Sequence, residues 1–318
     1  GNKFSLAPKS IVLETLEPGV YDLQWNADTN SFYLLKQRDS FELPEKIYDF
    51  DESFIGRVCR TWEFTKDNLG VLLTGAKGSG KSITAKVICN RLQIPVVTLS
   101  RKFQGFASFI TLIPQDIIVM IDEFEKIFRS DEDQVPFLSL MDGVSGATHK
   151  RLYLLTSNNQ GLNDNFHNRP GRIRYWKRYG NLTKEQVMLI LDDRLKKDYK
   201  TETLAYITQL SIITVDVVCK IIDEVNLFDE PPQVWGKIFN CSKLSEKYLV
   251  FWNGVLATKT DLTTKDVFFR DLEVGEHIGL KGINNATFKR VIDDETIELE
   301  DGGTLKFRRV QQINDIFE

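Results

Sequence analysis

Short apolar runs alternate with longer segments of mixed polarity through the first half of the chain. The runs at 69–73, 96–99, 117–121 and 151–155 are apolar at nearly every position, which is typical of strands covered on both faces. Segments such as 83–92 instead carry apolar residues at helical spacing. Strands that alternate with helices predict an α/β core around a parallel sheet.

The pattern differs on both sides of this core. Residues 10–43 carry short apolar runs around Asn26-Ala-Asp-Thr-Asn30, which predicts a β-hairpin that packs on the core or on a neighbouring subunit. Thr183-Lys-Glu-Gln186 is a capping box that opens a helical region. Paired prolines at 231–232 end that region, because proline cannot continue a helix. Beyond them, runs that alternate at period two and the turn at 301–303 predict a small all-β barrel of five or six strands.

A glycine-rich loop follows the first strand of the core. Its sequence, Gly75-Ala-Lys-Gly-Ser-Gly-Lys-Ser82, fits G-x-x-x-x-G-K-[ST] at every fixed position. Glycines let backbone N–H groups curl around phosphates, Lys81 reaches the outer phosphates, and the Ser82 hydroxyl ligates Mg2+. A flexible glycine-rich turn is the alternative, and the strand before the loop and the helix after it disfavour that alternative. We therefore predict ATP and Mg2+ as cofactors, bound by Gly75, Ala76, Lys77, Gly78, Ser79, Gly80, Lys81, Ser82 and Ile83.

The second half of a triphosphate site should be an apolar strand that ends in acid. The strand predicted at 117–121 is followed directly by Asp122 and Glu123. We expect Asp122 to hold Mg2+ through its water shell and Glu123 to orient or deprotonate the attacking water. A buried strand that ends in a solvated acidic turn is the alternative. The complete phosphate loop upstream favours the catalytic interpretation.

Polar groups downstream extend the predicted site. The strand that begins at Arg151 ends in Ser157 and Asn158, where an amide would lie beside the γ-phosphate and the attacking water. Arg169 and Arg172 flank a Pro-Gly turn, and their planar guanidinium forks match phosphoryl oxygens. We expect this loop to act on the nucleotide of a neighbouring subunit. Alternatively, it is a surface turn whose arginines pair with local carboxylates.

The order of these parts resembles the AAA+ ATPases, and more narrowly the AAA group with two arginine fingers in an Arg-x-Gly-Arg motif. The resemblance covers roughly residues 45–228 and rests on GAKGSGKS, IIVMIDEFEKIF, FLSLMDGVSG, LYLLTSNN and NRPGR. It implies that Asn158 is the sensor-1 residue, with Asn159 as the fallback. It also implies that Arg169 and Arg172 are fingers acting in trans, and that a small helical lid follows the core.

Departures from the family pattern concern the loop, the lid and the pore. Ala-Lys-Gly-Ser stands where the group usually has Pro-Pro-Gly-Thr, and the interval from Ser82 to Asp122 is short. The lid lacks a Gly-Ala-Arg-like sensor-2 arginine, with Lys220 as the nearest cation.

Lys102-Phe-Gln-Gly105 lies where AAA+ translocases place an aromatic-x-Gly pore loop. Phe103 would then grip an extended polypeptide; alternatively, Phe103 or Phe106 packs in the core.

The predicted fold class is an α/β P-loop parallel-sheet core with a helical lid, a short N-terminal β segment and a small C-terminal all-β domain. The expected boundaries are 1–44 for the N-terminal β segment and 45–180 for the nucleotide-binding core. The helical lid is expected at 181–230 and the C-terminal β-barrel-like domain at 231–318.

Composition narrows the possible partners and compartment. The formal net charge is −4, so no global basic field attracts nucleic acid or an anionic membrane. The cysteines lack C-x-x-C spacing, which argues against a metal site or a disulfide framework and favours the reducing cytoplasm. Apolar stretches are strand-length and the start lacks a signal-peptide core, so we expect no membrane partner.

The sequence therefore predicts an ATPase that assembles as a homo-oligomeric ring, expected to be a hexamer, and remodels or translocates a protein target. Mixed charge in the C-terminal strands favours a protein-binding or structural role for that domain over nucleic-acid binding. Two alternatives stay open. One is a nucleic-acid motor or loader that uses the C-terminal domain, and the other is a scaffold whose assembly is switched by ATP.

Overall fold

The computed structural model describes residues 15–142, 149–158, 166, 169–263, 272, 274–278, 280, 283, 286–293 and 295–309. The chain forms two compact units. Residues Gly1–Gln186 and Thr214–Asp216 form the first unit, and Val187–Ile213 and Val217–Glu318 form the second. The four domain boundaries expected from the sequence stay predictions.

A seven-stranded sheet forms the centre of the first unit. Its strands are β1 (Val20–Asn26), β2 (Ser31–Arg38), β3 (Leu69–Gly75), β4 (Val96–Thr98), β5 (Ile117–Ile121), β6 (Arg151–Ser157) and β7 (Tyr175–Tyr179). The order across the sheet is β2-β1-β4-β5-β6-β3-β7. All neighbours are parallel except the antiparallel pair β1–β2. The carboxyl ends of β3, β5 and β6 therefore meet at one edge, where the predicted phosphate loop and acidic residues begin.

Helices cover both faces of this sheet. They are α1 (Glu52–Phe64), α2 (Lys81–Leu92), α3 (Phe106–Leu112), α4 (Phe124–Ile127) and α5 (Asp131–Met141). One apolar cluster contains Ile55 of α1 and Ile88 of α2, and the other contains Ile110 of α3 and Phe137 of α5. The strands between them are buried on both sides, which explains their continuous apolar sequences.

Helix α1 begins at a well-made N-cap. The Asp51 carboxylate accepts a hydrogen bond from the Phe54 N–H at 2.9 Å, and its other oxygen pairs with Lys177 Nζ at 2.6 Å. These contacts, with the Lys177 bond as the largest, lower the pKa of Asp51 from 3.8 to about 2. The N-cap thereby connects α1 to the edge strand β7.

The N-terminal hairpin extends the sheet instead of lying on it. Strand β1 pairs in parallel with β4, with Val20 opposite Val96. Tyr21 and Leu23 of β1 are buried. The hairpin expected between residues 10 and 43 is thus confirmed over β1 and β2. It adds two strands to the edge of the core and buries β1.

The second unit contains the helical region and a separate antiparallel sheet. It includes most of helices α6 (Lys184–Arg194) and α8 (Val215–Phe228). Helices α7 (Lys200–Ile207) and α9 (Pro232–Trp235) lie within it, joined by an edge-on contact between Tyr206 and Trp235 with centroids 5.7 Å apart. The predicted capping box is present at the start of α6, with Thr183 and Gln186 exchanging bonds of 2.8 and 3.3 Å.

In the part of the chain that the structure describes, the C-terminal sheet has five strands: β8 (Ser245–Trp252), β9 (Val255–Thr263), β10 (Phe288–Asp293), β11 (Thr296–Leu299) and β12 (Thr304–Arg309). Their order is β10-β11-β12-β8-β9, antiparallel throughout. Val250, Ile297 and Phe307 are fully buried on one face. The edge strands β9 and β10 do not pair with each other within the described residues. A strand expected at 267–270 lies outside the described residues.

The predicted fold class is confirmed by this pairing of a P-loop α/β sheet with a small all-β sheet. Sequence reasoning missed β7 and the helices α3, α4, α5 and α9. The proline pair was expected to end the helical region, but α9 begins at Pro232, because proline is tolerated in the first turn of a helix. Among the helices that the structure describes, none is long and apolar enough to cross a bilayer.

Candidate functional site

The glycine-rich loop takes backbone conformations that other residues rarely adopt. Gly75 has φ 150° and Gly78 has φ 80°. A Cβ on Gly78 would lie 2.6 Å from the Cβ of Asp216, and one on Gly75 would lie 2.5 Å from the Tyr179 carbonyl oxygen. Both positions therefore need glycine for conformation and for space.

Helix α2 starts directly after this loop. Its N-cap is Gly80, which has no side chain to accept from the first N–H groups. These N–H groups and the positive end of the helix dipole form a site suited to phosphate. The nucleotide-binding role of residues 75–83 stays a prediction.

Lys81 lies inside the loop. Its ammonium donates to the Gly75 and Ala76 carbonyl oxygens at 2.9 and 2.8 Å, and to Asn158 Oδ1 at 3.0 Å. The residue is 5% exposed. Burial lowers its pKa, while the carboxylates of Asp122, Glu125 and Glu123 act in the opposite direction. A buried ammonium beside the loop is placed to contact phosphate oxygens.

The two residues predicted to hold Mg2+ lie together. Ser82 Oγ donates to Asp122 Oδ1 at 2.7 Å, and Thr156 Oγ1 donates to the same oxygen at 2.6 Å. A hydroxyl and a carboxylate are the hard oxygen ligands that Mg2+ prefers, with substrate phosphates and water completing the shell. No group of three or more His, Cys, Asp or Glu in the described residues could hold a metal by itself. This small donor set fits Mg2+ delivered with a nucleotide.

Glu123 follows Asp122 in a left-handed conformation, with φ 54°. Its N–H donates to Thr156 Oγ1 at 2.9 Å. Its two carboxylate oxygens accept from Lys126 Nζ at 2.5 Å and from Asn158 Nδ2 at 2.9 Å. The bond from Lys126 is the main cause that lowers the pKa of Glu123. The carboxylate is therefore held ionised and aimed by two donors, as a base requires.

Asn158 connects the two halves of the site. Its amide oxygen accepts from Lys81 and its amide nitrogen donates to Glu123. Its backbone N–H is bound by Glu125 Oε1 at 3.0 Å. The side chain predicted to lie near the γ-phosphate thus touches both the phosphate-binding lysine and the candidate base. Asn159, its fallback, lies outside the described residues.

Thr156 and Glu125 also belong to this network, and sequence reasoning missed both. Thr156 is fully buried near the end of β6, where threonine is also an ordinary strand former. Within the described residues, Glu125 Oε2 is buried without a hydrogen-bond partner, and so is Ser79 Oγ. The change from apolar to polar residues at the end of β6, where Thr156 precedes Ser157, was the available clue for Thr156.

The two arginines of the Asn168-Arg-Pro-Gly-Arg172 segment, here called the arginine loop, differ in their contacts. Arg172 donates from Nε and Nη2 to the two oxygens of Asp142, at 2.7 and 2.6 Å. This fork lowers the pKa of Asp142 and raises the pKa of Arg172. Arg169 is exposed, and its carbonyl oxygen accepts from the N–H groups of Arg172 and Ile173. Arg172 is thus anchored within its own chain, whereas the Arg169 side chain faces solvent.

The Lys102-Phe-Gln-Gly105 segment lies beside the N-terminal hairpin. Phe103 is half-buried and contacts Phe32 edge-on, with ring centroids 6.0 Å apart. The Arg101 guanidinium lies 4.9 Å from the Phe103 ring centroid. Phe106 is 3% exposed and belongs to the core. A pore-loop role for Phe103 stays a prediction.

Comparison with known protein families finds a match over the central part of the first unit. Residues 71–176 match the model described as ATPase family associated with various cellular activities (AAA). The matched residues make this part of the chain similar to the AAA-family domain. The matched range runs from β3 into β7 and includes the phosphate loop, the acidic strand end, Asn158 and the arginine loop. No curated protein matches the chain.

Solved structures give weaker likenesses to this chain. Two single-substitution variants of Thermotoga maritima RuvB are 18% and 17% identical, with TM-scores of 0.35 and 0.36. Both alignments cover 56% of this chain and 70% of that chain. A structure titled as a HORMA:CdnC:Trip13 complex of E. coli MS115-1 is 14% identical over 60% of this chain and 87% of that chain, with a TM-score of 0.42. Likenesses of this size say nothing about function.

Proposed function

We propose that this chain is a Mg2+-dependent ATPase that couples hydrolysis to the remodelling or translocation of a protein target. The AAA-family match supports nucleotide binding. One observation carries the catalytic part of the proposal: Asn158 joins the ammonium of Lys81 to the carboxylate of Glu123 through bonds of 3.0 and 2.9 Å. A phosphate-binding cation and a base are thereby held on either side of one amide.

Each residue then has a role set by its contacts. Lys81 and the N–H groups at the start of α2 bind and orient the phosphates. Ser82 and Asp122 would hold Mg2+, which neutralises charge on the β- and γ-phosphates. Glu123, ionised beside Lys126, orients the attacking water and accepts its proton. Asn158 positions Glu123 against the γ-phosphate end of the site.

Ring assembly is part of the proposal and concerns the arginine loop. A guanidinium that stabilises transition-state charge must reach a phosphate, and Arg172 is occupied by Asp142. Among the described residues, Arg169 has no side-chain hydrogen bond or ion pair. We propose that Arg169 contacts the nucleotide of the next subunit in a homo-oligomer, expected to be a hexamer, while Arg172 and Asp142 fix the loop.

A mixing experiment tests action in trans. Arg169→Ala should bind ATP and lose about 10³-fold in turnover, the scale of an arginine finger, and Lys81→Ala should fail to bind ATP. Mixing the two chains should restore activity, because an intact phosphate loop can then face an intact finger. If native mass spectrometry shows both chains in one oligomer and activity does not recover, the proposal is wrong.

A second experiment distinguishes a protein remodeller from an ATP-switched scaffold. If the wild-type chain is a protein remodeller, an unfolded polypeptide should stimulate its ATP turnover several-fold. If it is an ATP-switched scaffold, the polypeptide should cause no stimulation. Phe103→Ala should reduce that stimulation and leave basal turnover unchanged if Phe103 grips the polypeptide. Phe103→Tyr is the matched control, because it keeps the ring.

Two further points concern partners and compartment. We propose the cytoplasm as the compartment, because the spacing of the cysteines along the sequence is typical of neither a disulfide framework nor a metal site. A nucleic-acid motor or loader is the second candidate function. A cationic cavity beside α1 favours this candidate, and that cavity lies outside the nucleotide site.

A further inference from the structure

A cavity of about 820 Å³ lies along the solvent-facing side of α1. Four cationic side chains line it: Arg57, Arg60, Lys66 and Arg174. Asp67 is the one carboxylate in its lining. The volume lies within the range of ordinary ligand sites, about 300–1,000 Å³. We call this cavity the α1 groove.

The cations of the α1 groove come from separate parts of the first unit. Arg57 and Arg60 lie three positions apart on one face of α1, so their side chains are neighbours on the helix surface. Lys66 follows the end of α1, and Arg174 precedes β7, where its N–H donates to the Gly70 carbonyl at 2.9 Å. The fold therefore concentrates positive charge in a chain whose net charge is −4.

These four cations make no ion pair within the described residues. Acidic residues at the start of α1 are paired elsewhere. Glu52 accepts two bonds from Arg91, at 2.7 and 2.9 Å, and Asp51 pairs with Lys177 at 2.6 Å. The positive charge of the α1 groove is thus left for a ligand.

The end of α1 would normally repel an anion, because helix carbonyls give it partial negative charge. Lys150 offsets this charge. Its ammonium donates to the carbonyl oxygens of Trp62 and Thr65 at 2.6 and 3.0 Å. The carboxyl-terminal end of the helix is therefore compatible with an anionic ligand in the adjoining groove.

Phe64 also lines the α1 groove and is 85% exposed. An exposed aromatic ring beside unpaired guanidinium groups can bind two parts of the same ligand, a nucleic acid. Its phosphates would pair with the cations, and its unstacked bases would stack on the ring. A base inside a duplex cannot stack on a side chain without being unstacked, so a single strand fits best. An acidic peptide would satisfy the cations and leave Phe64 without a role.

We propose that the α1 groove binds single-stranded nucleic acid, with Arg57, Arg60, Lys66 and Arg174 contacting phosphates and Phe64 stacking on a base. The inference is independent of ATP hydrolysis, since none of these residues belongs to the nucleotide site. It assigns nucleic-acid binding to α1 and not to the C-terminal sheet.

The test is the affinity of the full chain for a fluorescein-labelled oligo(dT) of about 20 nucleotides, measured by anisotropy over a salt series. Saturating Mg-ADP is present throughout, so that the phosphate loop does not bind the probe. For a single strand, each phosphate contact lowers the slope of log K against log salt concentration by about 0.7, so four contacts predict a slope of about −2.8. Absence of binding at low salt would overturn the proposal.

Two double variants assign the contacts. Arg57→Ala/Arg60→Ala and Lys66→Ala/Arg174→Ala should each weaken binding at least about tenfold and reduce the slope by about 1.4. The pairs change separate segments, so one remains informative if the other fails to fold. Lys306→Ala/Arg308→Ala in the C-terminal sheet is the matched charge control and should bind as the wild type does. A loss confined to this control pair would overturn the assignment to α1.

Phe64 separates a nucleic-acid strand from an acidic peptide. Phe64→Ala should weaken binding about five- to 150-fold, the equivalent of one stacked base, and Phe64→Trp should keep it. Poly-glutamate at the same charge concentration should compete weakly. Equal competition by poly-glutamate together with an unaffected Phe64→Ala variant would identify an acidic-peptide site and overturn the proposal.

Discussion

The hydroxyl of Thr156 connects Asp122 and Glu123, the carboxylates proposed to hold Mg2+ and to act as the base, and its removal is the sharpest perturbation of the site. It donates to Asp122 Oδ1 at 2.6 Å and accepts from the Glu123 N–H at 2.9 Å. The side chain is fully buried. Thr156→Val keeps the shape of the side chain and removes both bonds.

The magnitude follows from the exposure of the partners. A hydrogen bond to a charged group contributes about 1.5–3 kcal/mol when its partner cannot be solvated. Asp122 is exposed and Glu123 is half-buried, so water replaces part of both contacts. We expect Thr156→Val to lower the free energy of unfolding by about 1–2 kcal/mol. Turnover should fall by about tenfold to a hundredfold, because both carboxylates lose their orientation.

Thr156→Ser is the matched control for this variant. It keeps the hydroxyl and loses one buried methyl group, which costs about 1 kcal/mol of stability. The two variants should therefore have similar urea midpoints and different ATP turnover, with the serine variant close to wild type. Turnover of Thr156→Val within twofold of the wild type, or an equal loss in Thr156→Ser, would refute the role assigned to the hydroxyl.

The remaining predictions concern the loop, the base and the first helix. Gly78→Ala should abolish measurable ATP binding in calorimetry, because its Cβ would lie 2.6 Å from the Cβ of Asp216 and φ is 80°; wild-type affinity would contradict this. Lys126→Ala should raise the pKa of Glu123, because the bond from Lys126 is the main cause that lowers it. The ionised form of Glu123 is the active one, so the acid limb of the pH–rate profile should move to higher pH. An unchanged acid limb would count against Glu123 as the base. Because the pKa of Asp51 falls from 3.8 to about 2 on folding, its contribution to stability is full above 3.8 and is lost as pH falls through about 2. Urea unfolding of Asp51→Asn should show a deficit that shrinks over that window, and a pH-independent deficit would contradict this reasoning.

Continuous apolar strands were predictable from the sequence, and strand β7 was not. Strands β3, β5 and β6 are buried on both faces, so burial appears directly as apolar sequence. Strand β7, Tyr175–Tyr179, lies at the sheet edge and is half-buried. Its mixture of aromatic and cationic residues therefore has neither continuous apolar character nor clean alternation.

Long-range pairing explains what else the sequence did not show. The parallel pairing of Val20 with Val96 places the hairpin in the central sheet, and no local pattern specifies that partner. The α1 groove joins Arg57 and Lys66 to Arg174, which is distant along the chain. Motif residues such as Lys81 were predictable because their spacing is fixed within one loop. Thr156 was not, because its role exists only when β5 and β6 are neighbours.

We propose above all that Glu123 activates water for ATP hydrolysis at this site. Steady-state ATP turnover of Glu123→Gln, with ATP affinity measured in parallel, tests it most directly. The amide keeps the shape of the side chain and cannot accept a proton. We predict wild-type ATP affinity and turnover reduced at least about a hundredfold. Near-normal turnover in a variant that binds ATP normally would contradict the account.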